Sequence, residues 1–159
     1  MGFWGSISGK TIYTFLLSMI PILELRGAVP IGYANGLNIW VAVTVSIVGN
    51  LLPVPFIIIF IRRIFAFARR VSPKFNGVVT RIEKRAENKS DIVKKYSFLG
   101  LFLLVAIPLP GTGAWTGALV AAMLDMRLKR ALPAIVAGVL VAGVIVAFIT
   151  CGANALFFK

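Results

Sequence analysis

Apolar stretches without charge alternate along this chain with short polar breaks. Residues 11–23 are a short apolar segment and 27–38 a second short arm, with Asn35-Gly36 reading as a turn. Residues 39–61 carry no charge, 62–95 are polar and basic, and 96–124 are again uncharged. That last stretch is interrupted by Pro108-Leu109-Pro110-Gly111-Thr112-Gly113. After a charged turn at 125–130, residues 131–158 are uncharged. A helix needs about 20 apolar residues to cross a bilayer. Residues 39–61 and the first part of 131–158 reach that length. The segment 11–23 enters a bilayer but is too short to cross it alone. Pro53 and Pro55 predict a kink in the first crossing, because each lacks the amide its helix would use.

Two Pro/Gly stretches mark where the short arms turn. Ile20-Pro21-Ile22-Leu23-Glu24-Leu25-Arg26-Gly27-Ala28-Val29-Pro30 places a carboxylate and a guanidinium among prolines, a glycine and apolar residues. This reads as the tip of a hairpin that enters the membrane and turns back. The second tip runs Pro108-Leu109-Pro110-Gly111-Thr112-Gly113-Ala114-Trp115-Thr116-Gly117. Phe15-Leu16-Leu17-Ser18-Met19-Ile20-Pro21 matches Phe102-Leu103-Leu104-Val105-Ala106-Ile107-Pro108 at five of seven positions, 87 residues apart. At the same offset Ala34 pairs with Ala121, Leu37 with Leu124 and Asn38 with Asp125. The expected fold is therefore an all-α membrane protein forming one integral domain over residues 1–159. Repeat one (11–61) and repeat two (96–150) are each a re-entrant helical hairpin followed by a transmembrane helix, and a basic amphipathic helix (62–95) joins them. Such repeats are a common build for transporters.

Charge orients these elements. Residues 62–95 hold 11 of the 17 basic residues but only Glu83, Glu87 and Asp91 as acids, which places the loop in the cytoplasm. Re-entry of 96–124 keeps Arg127, Lys129 and Arg130 on that same side, so the two crossings run in opposite senses and the repeats are inverted. The alternative is a plain four-span bundle, since 96–124 also spans with a kink and tilt. The chain is 59% hydrophobic, against ~45–50% for a soluble domain. Its net charge of +12 lies mostly in one loop between apolar blocks, which points to anionic inner-leaflet lipid and away from nucleic acid. With no His and Cys151 as the single cysteine, no metal, cofactor or Cys/His catalytic centre is expected, and none of the residues suggests an enzyme. Ser72-Pro73 reads as a helix start, followed by an apolar stripe of Phe75, Val78, Val79, Ile82 and Ala86. That helix is expected on the inner leaflet, or else is a solvated linker. Phe3 and Trp4 suggest an interfacial anchor. Lys10 and 11–23 imitate a signal peptide, but the run ends in Leu-Glu-Leu-Arg without a small-x-small site.

Glu24 is the leading functional residue. Burial raises a carboxylate's pKa, which suits proton uptake and release, while Arg26 favours the anion. Arg26 also suits a phosphate group through its planar fork. Both residues have a structural alternative, pairing with each other or with backbone ends to hold the hairpin. Amides at Gly111, Thr112 and Gly113 are placed to open a half-helix toward an anion, or to form a tight turn. Substrate contacts are expected from Arg26, Gly27, Pro30, Asn50, Pro108, Pro110, Gly111, Thr112, Gly113 and Trp115. Asn38, Asp125 and Arg127 are secondary candidates. Asn38 and Asn50 also suit helix-end and interhelical hydrogen bonds, and Asp125 also suits neutralising its basic neighbours.

The motifs Glu24–Pro30 and Pro108–Gly117 resemble the small multidrug export family of prokaryotic membrane proteins, over nearly the whole chain. That family is similar, more remotely, to the DedA superfamily, with two re-entrant hairpins each followed by a membrane helix. The DedA resemblance implies proton-coupled transbilayer movement of lipid carriers such as undecaprenyl phosphate, with Glu24 as the acidic residue of the first hairpin. The arginines that DedA proteins carry around the second hairpin have no counterpart here. The expected function is transport or flipping of an amphiphilic, anionic, lipid-phosphate-like substrate in the inner membrane, coupled to protons through Glu24. The alternatives are export of lipophilic cations and a non-transporting membrane scaffold. Two full crossings enclose little, so a homo-oligomer is expected.

Overall fold

A computed structural model describes residues 6–157 other than 72, 97 and 110, with some side chains in 62–97 and beyond 153 left out. Phe3, Trp4, Ser72 and Pro110 lie outside the described residues, as does the side chain of Phe75. Among the described residues the secondary structure is helical: α1 (Ile7–Met19), α2 (Glu24–Ala34), α3 (Ile39–Leu51), α4 (Val54–Val71), α5 (Pro73–Tyr96), α6 (Phe98–Ala106), α7 (Ala114–Met123) and α8 (Leu128–Phe157). The expected kink is a break, with Leu52 and Pro53 forming a turn between α3 and α4. Two segments are long and apolar enough to cross a membrane, Ile39–Ile61 and Leu128–Ala153. The helices α1, α2, α6 and α7 have 13, 11, 9 and 10 residues. At about 1.5 Å per residue none reaches the ~30 Å of a bilayer core.

Each pair of short helices folds back on itself and leans on the long segment that follows it. Small residues bring the backbones together. A β-carbon at Gly49 of α3 would stand 2.7 Å from the Phe15 carbonyl oxygen of α1, and would also meet the Ser18 hydroxyl. A β-carbon at Gly138 of α8 would stand 2.9 Å from the Phe102 carbonyl oxygen of α6 and 2.8 Å from Val105. Phe15 and Ser18 lie 87 positions before Phe102 and Val105, whereas Gly49 lies 89 before Gly138. The shift arises at the tips: α1 and α2 are separated by residues 20–23, α6 and α7 by residues 107–113.

The ends of α2 and α7 show the same shift. Leu37 N–H donates to the Gly32 carbonyl (3.1 Å) and Gly36 N–H to that of Tyr33 (2.9 Å). Met126 N–H donates to Ala121 (2.9 Å) and Asp125 N–H to Ala122 (3.3 Å). This is the paired bonding that closes a helix through a left-handed residue, here Gly36 (φ 86°) and Asp125 (φ 51°). Asp125 therefore corresponds to Gly36. The pairing of Asn38 with Asp125 expected from a constant offset is not kept, because the second tip holds extra residues. Asn38 caps α3, its side chain accepting from the Trp40 amide at 2.9 Å.

The apolar core links every helix from α2 to α8, with alanines of α7 and α8 at its centre. The helix α5 packs on α4, α6 and α7. Its stripe is taken up by protein, with Val79 and Ala86 buried, while Val78 stands off it at 55% exposed. Residues 79, 82, 86 and 90 share a helix face one position round from residue 78, which is why Val78 misses the core. Outside, α3, α4 and α8 present Trp40, Phe56, Phe67 and Phe148, each more than 60% exposed. An apolar surface of this extent is what a bilayer covers.

Candidate functional site

The first tip is narrower than the Pro/Gly spacing predicts. Only residues 20–23 turn, and Glu24 N–H donates to the Ile20 carbonyl at 2.9 Å as the first residue of α2. Arg26, Gly27 and Pro30 all lie within α2. Pro30 does not end the helix; it removes the one bond that its amide would have given to the Arg26 carbonyl. Glu24 is buried and has a left-handed backbone (φ 48°), uncommon for a residue other than glycine.

The second tip is wider and holds itself together. The Thr112 hydroxyl reaches the carbonyls of Ile107 (3.0 Å) and Leu109 (2.8 Å), and its amide donates to Leu109 (3.2 Å). Gly113 follows at φ 145°, and α7 begins at Ala114. A side chain at Gly113 would run into the carboxylate of Glu24. Counted along the shifted repeat, Glu24 and Gly113 are equivalent positions, each at the start of its half-helix. The two tips thus meet at corresponding points.

Their contacts are reciprocal. The Glu24 carboxylate accepts from the Trp115 amide at 3.2 Å, with the Ala114 amide as a further donor, so it caps the N-terminus of α7. Arg26 reaches in the other direction. Its guanidinium donates to the carbonyls of Leu109 (2.9 Å), Ile107 (3.1 Å), Val105 (3.3 Å) and Thr112, covering the C-terminus of α6. Trp115, the position equivalent to Arg26, donates its indole Nε1–H to the Met19 carbonyl at the end of α1 (3.1 Å). A helix N-terminus carries about +0.5 charge and a C-terminus about −0.5. The acid therefore sits on a positive end and the base on a negative one. The anion that α7 opens toward is Glu24 itself, bound by the amides of Ala114 and Trp115 rather than those of Gly111, Thr112 and Gly113.

Around this junction lies a cavity of about 560 Å³. It is lined by Glu24, Arg26 and Gly27 from one tip, Pro108, Gly111 and Thr112 from the other, and Arg85 from α5. A neighbouring cavity of about 270 Å³ shares Pro21, Ile22, Arg85 and Thr116 with it and is walled by Phe65, Ile82 and Leu119, with Trp115 also on its edge. Pro30 and Asn50 line neither. Asp125 and Arg127 line a separate hollow of about 360 Å³ at the turn between α7 and α8. Sequence reasoning passed over Arg85 and Thr116. Thr116 lay within the second motif, whereas Arg85 carried no signal beyond being one basic residue among many.

Over residues 24–145 the chain matches the protein family described as "Putative small multi-drug export protein". The match covers most of the chain, which belongs to that family. No curated protein and no solved structure matches the chain. The family and the two apolar segments together give a membrane location with transmembrane helices.

Proposed function

We propose that this member of the small multi-drug export family moves an anionic amphiphile across the inner membrane, with proton coupling through Glu24. The observation that carries the reading is the paired cavity. A chamber at the tips, where Arg26 and Arg85 outnumber Glu24, shares Pro21, Ile22, Arg85 and Thr116 with a more apolar one walled by Phe65, Ile82 and Leu119. A charged head group fits the first and an acyl or prenyl chain the second. Export of lipophilic cations, which the family's description suggests, is the second reading, favoured by the Glu24 carboxylate at the chamber wall. Two guanidinium groups on the chamber wall oppose it, since they repel a cation. We assign no catalytic role to these residues.

Our reading of the architecture is two inverted repeats whose re-entrant hairpins meet tip to tip inside the bilayer. The recurrence of the helix contacts and helix ends at offsets of 87 and then 89 supports it. The basic stretch 62–95 then lies on the cytoplasmic side beside anionic lipid. Two crossings enclose the cavity only partly, and a homo-oligomer would complete its wall.

The coupling follows from the chemistry of the cap. An ionised Glu24 accepts charge-assisted bonds from the amides at the start of α7 and favours its positive end. Protonation removes the charge and one acceptor, so it loosens the tips and lets a head group take the place of the carboxylate on those amides. In proteoliposomes with an imposed pH gradient, the wild type should move an anionic amphiphile at a rate that follows the gradient. Glu24→Gln should bind the amphiphile but lose the dependence on pH. Gradient-independent flux in the wild type, or gradient-driven flux of a lipophilic cation alone, would remove the reading.

A further inference from the structure

The charges of the two tips are already met inside the protein. The Glu24 carboxylate is held by the amides at the start of α7. Arg26 gives two bonds from each of its Nη atoms, to Leu109 and Thr112 from Nη1 and to Val105 and Ile107 from Nη2. Each Nη carries two protons, so of the five donors of the guanidinium only Nε–H is left. Gripping an anion with two parallel bonds takes two neighbouring donors. Arg26 can do so only by letting go of the end of α6 and the tip after it.

Arg85 is in the opposite condition. Among the described residues its exposed guanidinium makes no hydrogen bond and no ion pair. The helix explains this. The acids nearest to it on α5, Glu83 and Glu87, stand two positions away on either side, where side chains do not face one another. Ile82 and Ala86 hold α5 at the wall of the smaller cavity, with Ala86 buried, and Arg85 is carried in beside them. Its fork of donors is intact.

Its place is the joint between the two cavities. Arg85 lines both, together with Pro21, Ile22 and Thr116. The side chains of Pro21 and Ile22 are apolar, and the Thr116 hydroxyl has given its proton to the Gly111 carbonyl (3.2 Å). Among these four side chains, Arg85 is the one with donors to spare. The helix that supplies it lies between the two pairs of short helices and belongs to neither.

We infer that Arg85 is the residue that selects the charge of the substrate. Its guanidinium binds the phosphate of an amphiphile at the point where head group meets chain, with the chain in the apolar hollow of Phe65, Ile82 and Leu119. A planar fork suits a phosphate, and a phosphate set directly on a chain fits a joint with a donor on its wall and hydrocarbon on one side. Arg26 is then a positioning residue that holds the second tip. The inference rests on the reading of the cavities as a site for an anionic amphiphile, and moves the choice of charge from the hairpins to α5.

The test is calorimetric titration of the purified full-length protein in phosphatidylcholine nanodiscs with octyl phosphate, measured against empty discs. The wild type should bind it saturably, and more tightly than inorganic phosphate, which leaves the apolar hollow unfilled. Arg85→Ala should weaken the affinity for octyl phosphate about tenfold or more, because a charged donor pair is lost. Arg85→Lys should fall between, keeping the charge without the fork. Arg81→Ala removes the same charge one turn away, at a residue that lines neither cavity, and should change the affinity by less than about twofold. Arg85→Glu should bind octyltrimethylammonium in place of octyl phosphate. Because Arg85 is exposed, the thermal midpoint of Arg85→Ala should stay within about 2 °C of the wild type, which separates lost binding from lost fold. Octyl phosphate binding equally well to Arg85→Ala, or an equal loss in Arg81→Ala, would overturn the inference and leave the anionic reading standing, with the tips as its site. A wild type that binds no octyl phosphate, or prefers octyltrimethylammonium, would overturn both.

Discussion

Replacing Gly113 with alanine is expected to abolish transport and to destabilise the protein by about 2–4 kcal/mol, since backbone strain and collision act together. Gly113 sits at φ 145° and ψ −168°, a region essentially restricted to glycine. Its missing β-carbon is also the space that the Glu24 carboxylate occupies. The two effects separate in a double-mutant cycle. Glu24→Ala in the Gly113→Ala background should recover the collision but leave the strain, so the double variant should be more stable than Gly113→Ala alone. Thermal midpoints of the four proteins in detergent measure this. Strict additivity would mean that residues 24 and 113 do not meet.

Arg26→Ala is expected to lower stability by about 2–4 kcal/mol, because hydrogen bonds from charged donors are each worth about 1.5–3 kcal/mol and are not additive. The discount reflects an arginine that is only half-buried. Removing it takes the charged donor from four carbonyls at the end of α6 and in the tip after it, of which those of Ile107 and Leu109 keep their bonds from Thr112, and the exchange of amides in residues 107–113 should quicken before that of α8. Arg26→Lys should recover about half the loss, since an ammonium keeps the charge but not the planar fork of five donors. If Arg26→Ala keeps its stability and amide protection but loses substrate binding, the arginine serves the ligand and not the helix end.

Much of this was legible in the order of residues. Length and charge marked the two segments apolar enough to cross, Pro53 and Pro55 marked a kink where the helix in fact breaks at Leu52 and Pro53, and Glu24 and Arg26 stood out as charges in apolar surroundings. Their partners did not, because both residues bind backbone ends, and a helix end carries no distinctive side chain. The extent of the first tip was overread for a related reason. Pro30 is tolerated in α2 at the loss of a single bond, so a proline in sequence overstated the break. The constant offset failed where the second tip adds residues, which hid the equivalence of Glu24 with Gly113 and of Arg26 with Trp115. Val78 fitted a helical period yet faces outward, since the stripe of α5 is set by what α4, α6 and α7 offer it.

The central claim is that the hairpins enter from opposite faces and meet at their tips. Single cysteines placed at residues 36 and 128, in a Cys151→Ser background, test it most directly through labelling of intact cells with an impermeant maleimide. Residue 36 closes the first hairpin and residue 128 begins the segment after the second. The account predicts that residue 36 labels from outside and residue 128 only after the cells are permeabilised. Labelling of both from outside would mean that the second pair of short helices crosses the membrane, and would contradict it.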